Sequence, residues 1–183
     1  PLRRQRQMCI RDSTYPSLDL LIKPHFILFM WGGSHTGKSF ILLTFILGIA
    51  SGTQAFFFAG SKIPRNVLLL DGELTKDQFK QRIKQLTQNN HSLFESVNKH
   101  IRCHFARETG SLDLLNPEHQ KTILARIRQD NIKVLAIDNL ISLADKALKG
   151  RINELFDFFY SIERAGAAVI FVNHATKDNF DFK

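Results

Sequence analysis

Eight residues near the start of the chain have the types and the spacing to hold a polyphosphate. Gly32, Gly33, Ser34, His35, Thr36, Gly37, Lys38 and Ser39 satisfy the pattern G-x-x-x-x-G-K-[ST]. Glycine lets the backbone reach φ > 0 and approach an anion closely, so Gly32, Gly33 and Gly37 are expected to adopt such geometry. The amides from Gly33 to Phe40, at the head of a helix, would face the phosphates of ATP. Lys38 would reach the β- and γ-phosphates, and the Ser39 hydroxyl would sit on Mg²⁺. His35 and Thr36 fill free positions of the pattern and offer backbone amides.

Three further polar groups follow short apolar runs. Val67 to Leu70 ends in Asp71-Gly72-Glu73, Val134 to Ile137 ends in Asp138-Asn139, and Ala168 to Val172 ends in Asn173-His174 with Lys177 close behind. Acids just past the C-terminal ends of strands lie at the ligand edge of an open α/β sheet. Glu73 is the candidate base that orients and activates an attacking water, with Asp71 a structural residue or a helper. As turn and helix-start residues the two would have no chemical role. Asp138 would hold Mg²⁺ opposite Ser39, directly or through water, and Asn139 would touch the water or the metal or simply make a turn. Asn173 or His174 could sense the γ-phosphate, the alternative being a cap.

Strands and helices must bring these groups together. Phe26 to Trp31 is a continuous apolar run suited to a central buried strand, and Phe40 to Ala50 is apolar on all sides, as a helix packed inside an α/β sandwich is. At 11 residues that run is far short of a membrane span. Thr75 to Gln88 reads as an amphipathic helix with Phe79, Ile83 and Leu86 on one stripe. Its Lys76, Lys80, Arg82 and Lys84 read as a solvated face that could touch a phosphate backbone. Leu93 to Val97 reads as a short helical turn, Ile101 to Phe105 as a strand, and Asn116-Pro117-Glu118 as the start of a helix reaching Gln129. Ile141 to Gly150 reads as a loop and Arg151 to Ala165 as a helix closed by Gly166. Leu18, Leu20, Leu21 and Ile22 read as an approach segment packed beside the nucleotide. The adjacent phenylalanines of Ala55 to Ala59 read as a loop pinned into the core in preference to an exposed contact patch.

The 183 residues, 44% hydrophobic, suit one domain with a sizeable core. With only Cys9 and Cys103, no disulfide framework or zinc site can be assembled, which fits a cytoplasmic location; His104 and Cys103 read as ordinary strand residues. The net charge of +8 favours a polyanionic partner. Part of it lies in Arg3 to Ser13, which has no apolar periodicity and reads as the translation of a sequencing-library adapter, or else as a basic arm for nucleic acid or an anionic membrane. Residues 1–13 are therefore set apart from a domain spanning 14–183, and on the adapter reading the natural N-terminus is missing.

Taken together, GGSHTGKS, VLLLDGE, VLAIDNL and AVIFVNHATK resemble the RecA-like P-loop ATPases, and within them the RepA-type replicative helicases and related mobile-element AAA ATPases. The likeness runs from about residue 18 to 178. It implies a three-layer α/β sandwich on a mostly parallel sheet, incomplete at the C-terminus, with ATP and Mg²⁺ as cofactors. It also implies Glu73 as catalytic base, Asp138 as magnesium ligand, and His174 with Lys177 near the γ-phosphate. For the intact protein it implies single-stranded DNA as a partner, a hexameric ring, no membrane, and an arginine finger supplied in trans beyond Lys183. Two departures stand out: the family has a glycine or small residue where Pro24-His25-Phe26 enters the first strand, and its DNA-contacting loops would follow the last residue here. A nucleotide-gated regulatory module and a P-loop small-molecule kinase are the alternatives from other classes.

Overall fold

The computed structural model describes residues 17–23, 25–33, 35–56, 58–61, 63–88, 90–110, 112–144 and 148–174. The segment 1–13, Ser34 and Lys177 lie outside the described residues. Five strands, β1 (Ile27–Gly32), β2 (Asn66–Asp71), β3 (Ile101–Phe105), β4 (Ile132–Asp138) and β5 (Ala168–His174), form one all-parallel sheet in the order β1-β5-β4-β2-β3. Parallel strands need crossovers, and helices supply them. They are α1 (Lys38–Ser51), α2 (Lys76–Thr87), α3 (His91–His100), α4 (Ala106–Thr109), α5 (Pro117–Gln129), α6 (Leu140–Leu143) and α7 (Leu148–Arg164).

Side-chain alternation along the strands divides the core into two layers. Val67, Leu69, Val134, Ala136, Ile170 and Val172 pack with Ile46, Ile49, Phe79, Ile83 and Val97 of α1, α2 and α3. Leu68, Leu70, Leu135, Ile137, Val169 and Phe171 pack with Ile123, Ile127, Phe159 and Ile162 of α5 and α7. The result is the expected three-layer α/β sandwich, with helices on both faces of a parallel sheet. Strands β2, β4 and β5 are nearly continuous in apolar residues because both of their faces are covered. The run from Phe26 to Trp31, expected as a central buried strand, is instead the edge strand β1, with Phe29 42% and Trp31 53% exposed, because among the described strands only β5 pairs with it.

Several local expectations are met. Thr75 and Gln78 form a reciprocal capping box at the head of α2, and Asn116 caps α5 with Pro117 in its first turn. The loop of Ala55 to Ala59 is pinned only in part: Ala55 is buried and Phe58 packs edge-on against Phe45, but Phe56, although it also touches Phe45, is 48% exposed.

Others are corrected. The short turn over Leu93 to Val97 is a ten-residue helix, because the Asn90 side chain accepts bonds from the amides of Ser92 and Leu93 and starts α3 early. The expected loop from Ile141 to Gly150 takes in all but the first residue of α6 and the first turn of α7, whose backbone departs from helical geometry at Arg151 (φ −125°, ψ 20°). The approach segment packs away from the glycine loop. Leu18 is buried against the C-terminal half of α1, where a Cβ on Gly48 would come 2.9 Å from the Leu18 Cδ1. Nine residues of helix, ~14 Å, separate Gly48 from Ser39. The driving term is burial of Leu18 and Leu21 in the core.

His25 has φ 69°, the left-handed region that favours glycine.

Candidate nucleotide site

β1 ends at Gly32, the chain turns, and α1 begins at Lys38, so the glycine-rich loop is a strand-to-helix connection. Of the three glycines expected at φ > 0, only Gly37 adopts it (φ 83°); the other left-handed residue is His35 (φ 61°). The open turn therefore rests on one glycine and one strained histidine, worth of order 1 kcal/mol. Lys38 is 7% exposed and curls back over the loop. Its Nζ donates to the carbonyls of Gly32 (2.7 Å) and Gly33 (2.5 Å) and to Thr36 Oγ1 (3.2 Å). Thr36 in turn donates to the Gly33 carbonyl (2.9 Å), so the loop is closed around the ammonium.

Strand register brings the acids to this point. Asp71 and Asp138 are directly paired at the ends of β2 and β4, and the Gly72 amide donates to the Asp138 carbonyl at 2.7 Å. Alternation puts both carboxylates on the face that α1 covers. Asp138, 2% exposed, accepts a hydrogen bond from the Ser39 hydroxyl, the first residue after the loop lysine. Burial first, then the charge of Asp71, pushes its carboxyl up to about 6, against the pull of the Ser39 bond. Asp71 is fully buried and is raised by the same burial, opposed by bonds that its Oδ1 accepts from the amides of Leu74 (2.7 Å) and Glu73 (2.8 Å).

One oxygen of each acid, Asp71 Oδ2 and Asp138 Oδ1, is buried without a hydrogen-bond partner. Each such oxygen costs ~1–3 kcal/mol when left unsatisfied. A hard divalent cation takes oxygen ligands of this kind, so Ser39, Asp138 and Asp71 fit Mg²⁺. Among the described residues no group of three His, Cys, Asp or Glu side chains has metal-holding geometry.

The Asp71-Gly72-Glu73 turn puts Glu73 on the wall of a cavity of about 510 Å³, shared with His35, Thr36, Gly37, Lys38, Ser39, Phe40 and Arg82. A Glu73 carboxylate oxygen accepts from the Asn139 side-chain amide. Asn139 is itself 2% exposed and follows Asp138 through a cis peptide bond. From the far side, Arg107 of α4 donates to the Glu73 carbonyl (2.8 Å), and Glu108 accepts from the Lys76 amide at the head of α2 (2.9 Å).

Gly32, Gly33, His35, Thr36, Gly37, Lys38, Ser39, Phe40, Asp71, Glu73, Asp138 and Asn139 thus surround one corner of the fold. Asn173 is buried at the end of β5, and His174 pairs with Gly32 in the β1–β5 register. The His174 side chain and all of Lys177 lie outside the described residues. Two contributors escaped the sequence reading. Arg82 was assigned to a solvated face, although Phe40 and Arg82 stand near enough for cation–π contact. The four-residue α4, which holds the Glu73 turn, is too short to have a periodic signal.

A larger groove, about 580 Å³, runs along β3 and α5 past Arg102, Cys103, His104 and His119. Burial pushes the Cys103 thiol up to about 12, so it stays protonated, and burial lowers His104. No acid lines that groove, and it lies apart from the loop lysine.

This geometry agrees with what the chain resembles among known proteins. Residues 6–179 match the profile of the AAA domain family, and the chain belongs to that family. It is an AAA-family, RecA-like ATPase domain. Among solved structures it is similar to a KaiC-like protein, PH0186, from the hyperthermophilic archaeon Pyrococcus horikoshii OT3. The TM-score is 0.58 and the identity 17%, over 91% of this chain and 71% of that one. At that identity the likeness speaks for the fold. No curated protein matches the sequence. No helix among the described residues is long and apolar enough to cross a membrane.

Proposed function

We propose that the chain binds ATP with Mg²⁺ and hydrolyses the γ-phosphate, as the motor domain of a RepA-type replicative helicase or a related mobile-element ATPase in the cytoplasm. The observation that carries this reading is the single cavity over the glycine loop, walled by both Lys38 and Glu73, with the Ser39–Asp138 pair beside it. Lys38 would exchange its bonds to the Gly32 and Gly33 carbonyls for β- and γ-phosphate oxygens, and the amides from Gly33 to Ser39 would take the rest of the phosphate chain. Bound Mg²⁺ would neutralise charge on the phosphates, held by Ser39 and Asp138 with Asp71 behind them. Glu73, oriented by Asn139, would hold the attacking water in line and accept its proton. His174, Asn173 and Lys177 would sense the γ-phosphate from the end of β5.

In the intact protein, this reading pairs copies of the domain in a hexameric ring on single-stranded DNA, where a neighbour would complete each site. With residues 1–13 set aside the net charge is +5, from 21 Lys and Arg against 16 Asp and Glu, and that remaining excess supports a polyanionic partner. The test is Mg²⁺-dependent phosphate release from ATP by the chain, with and without single-stranded DNA. Lys38→Ala should abolish release and nucleotide binding together. Undiminished ATP affinity in that variant would refute the site, and phosphate release that DNA never stimulates, without ring formation, would refute the helicase assignment.

A further inference from the structure

The groove along β3 and α5 takes no part in the nucleotide site, and its walls follow from strand register. Leu68 and Leu70 of β2 pair with Arg102 and His104 of β3, so two leucines and two basic side chains share one face of the sheet. α5 lays His119, Thr122, Ile123 and Arg126 along it, at the i, i+3, i+4 and i+7 spacing of one helix face. Because β3 is an edge strand, no further strand among the described residues carries a helix over its outer side, and about 580 Å³ is left between the walls. That is the size of a pocket for a small organic molecule.

The polar groups favour one kind of molecule. Among the described residues no Asp or Glu lines the groove. Arg126 is paired with Asp130, so the uncompensated charge is that of Arg102. Its Nη1 donates to the carbonyls of Asn98 (3.5 Å) and Lys99 (3.0 Å), while Nε and Nη2 have no partner among the described residues. Those two nitrogens form an edge of the guanidinium that a carboxylate meets with both oxygens. The imidazoles of His104 and His119 lie close enough to feel each other's charge, and each can donate a further bond. Buried Leu68, Leu70 and Ile123 supply an apolar floor for a hydrocarbon body.

The groove also reaches the nucleotide site, through α4. Thr109, at the end of that helix, lines the groove; its hydroxyl lies 3.2 Å from His104 Nε2 and donates to the Phe105 carbonyl (2.9 Å). In the same short helix Arg107 holds the Glu73 carbonyl and Glu108 the Lys76 amide. We propose that the groove binds a small carboxylate with an apolar body, gripped by Arg102, and that its occupancy is passed through α4 to the turn that carries Glu73. The binding stands on the groove alone, and the coupling rests on the nucleotide reading above.

The experiment titrates octanoate and 3-phenylpropionate into the isotope-labelled full chain without nucleotide and follows its amide spectrum. Both acids should give saturable shifts at 102–105, 109 and 119–126, and none at 33–39. Acetate, which has the charge without the body, and octanol, which has the body without the charge, should each bind at least about tenfold more weakly than octanoate. Arg102→Gln should weaken both acids roughly 10- to 100-fold. Thr122→Glu, at an exposed position on the α5 wall, should weaken them by like-charge repulsion, and it serves if thermal melts show that Arg102→Gln does not fold. No saturable shift with either acid, shifts centred elsewhere, or undiminished binding by the folded variants would overturn the site.

The coupling is read as the affinity for Mg²⁺ with a non-hydrolysable ATP analogue, with and without saturating octanoate. A change of about fivefold or more is expected, matched by an equal change in octanoate affinity when the analogue is bound. Thr109→Val should keep octanoate binding within about threefold and shrink that change. Equal analogue affinity with and without octanoate would overturn the coupling. If the parent binds no analogue, the nucleotide reading fails and the coupling with it, while the spectra still decide the site.

Discussion

The side-chain amide of Asn139 donates a hydrogen bond to the Glu73 carboxylate, joining the end of β4 to the turn after β2. The two residues are 66 positions apart in sequence. Asn139 is held in turn by its place at the head of α6, where its Oδ1 accepts from the Ser142 amide at 2.9 Å. The carboxylate is therefore aimed by a buried amide that is itself fixed.

Removing that aim should slow the reaction without loosening the nucleotide. We expect Asn139→Ala to lower kcat by about tenfold, with KM for ATP changed by less than about threefold, since it acts through the base. Glu73→Gln should lower kcat by ~10²–10⁴ with nucleotide still bound. Steady-state phosphate release on both variants is the check, and an unchanged kcat in Glu73→Gln would remove Glu73 from the mechanism.

Asp138 sets a pH dependence of stability. Its carboxyl ionises at about 6 in the fold against an ordinary 3.8, so ionisation is harder in the folded state. Stability from this group is greatest at low pH, where both states are protonated, and falls as pH rises from about 4 to about 6. The full loss is on the order of 3 kcal/mol. Asp138→Asn should accordingly raise the nucleotide-free Tm at pH 7.5 by roughly 5–10 °C and change it little at pH 4. Parallel melts at the two pH values test this, and an equal gain at both would show that ionisation is not the cause.

Gly72 has no room for a side chain. An added Cβ would stand 2.0 Å from Ser142 Oγ and 2.6 Å from Ser142 Cβ. Gly72→Ala should cost ~1–3 kcal/mol and displace the turn that carries Glu73. Because the two nearest atoms belong to Ser142, with Leu143 Cγ next at 3.2 Å, Ser142→Gly in the same protein should return part of the stability. A double-mutant cycle by denaturant unfolding measures the coupling, and additive losses would exclude the contact.

Leu18 separates stability from ligand binding. It is fully buried against α1 and remote from the glycine loop. Leu18→Ala should cost ~2–5 kcal/mol in unfolding free energy while ATP affinity stays within about twofold. An affinity loss as large as that of Lys38→Ala would instead return this segment to the nucleotide.

The glycine loop, the buried strands β2, β4 and β5 and the acids that end β2 and β4 were legible in the sequence because each is a local pattern, whereas the apolar run of β1 could not reveal that it lies at an edge of the sheet. A buried strand must be apolar on both faces, and a phosphate loop must place its glycines and lysine at fixed offsets. The caps of α2 and α5 were equally local. The start of α3 was missed because Asn90 caps it ahead of any apolar periodicity, and α6 because four residues cannot show a period.

By itself the sequence determined a P-loop α/β domain and the list of groups that could do its chemistry. Only the tertiary structure decided which of them meet. Register set Asp71 against Asp138, a turn carried Glu73 to Asn139, and helix packing brought Arg82 over Phe40. Those pairings depend on how strands align and helices rotate, which are long-range properties of the packed sandwich. No stretch of chain encodes them alone, because each is selected by the burial of both partners at once.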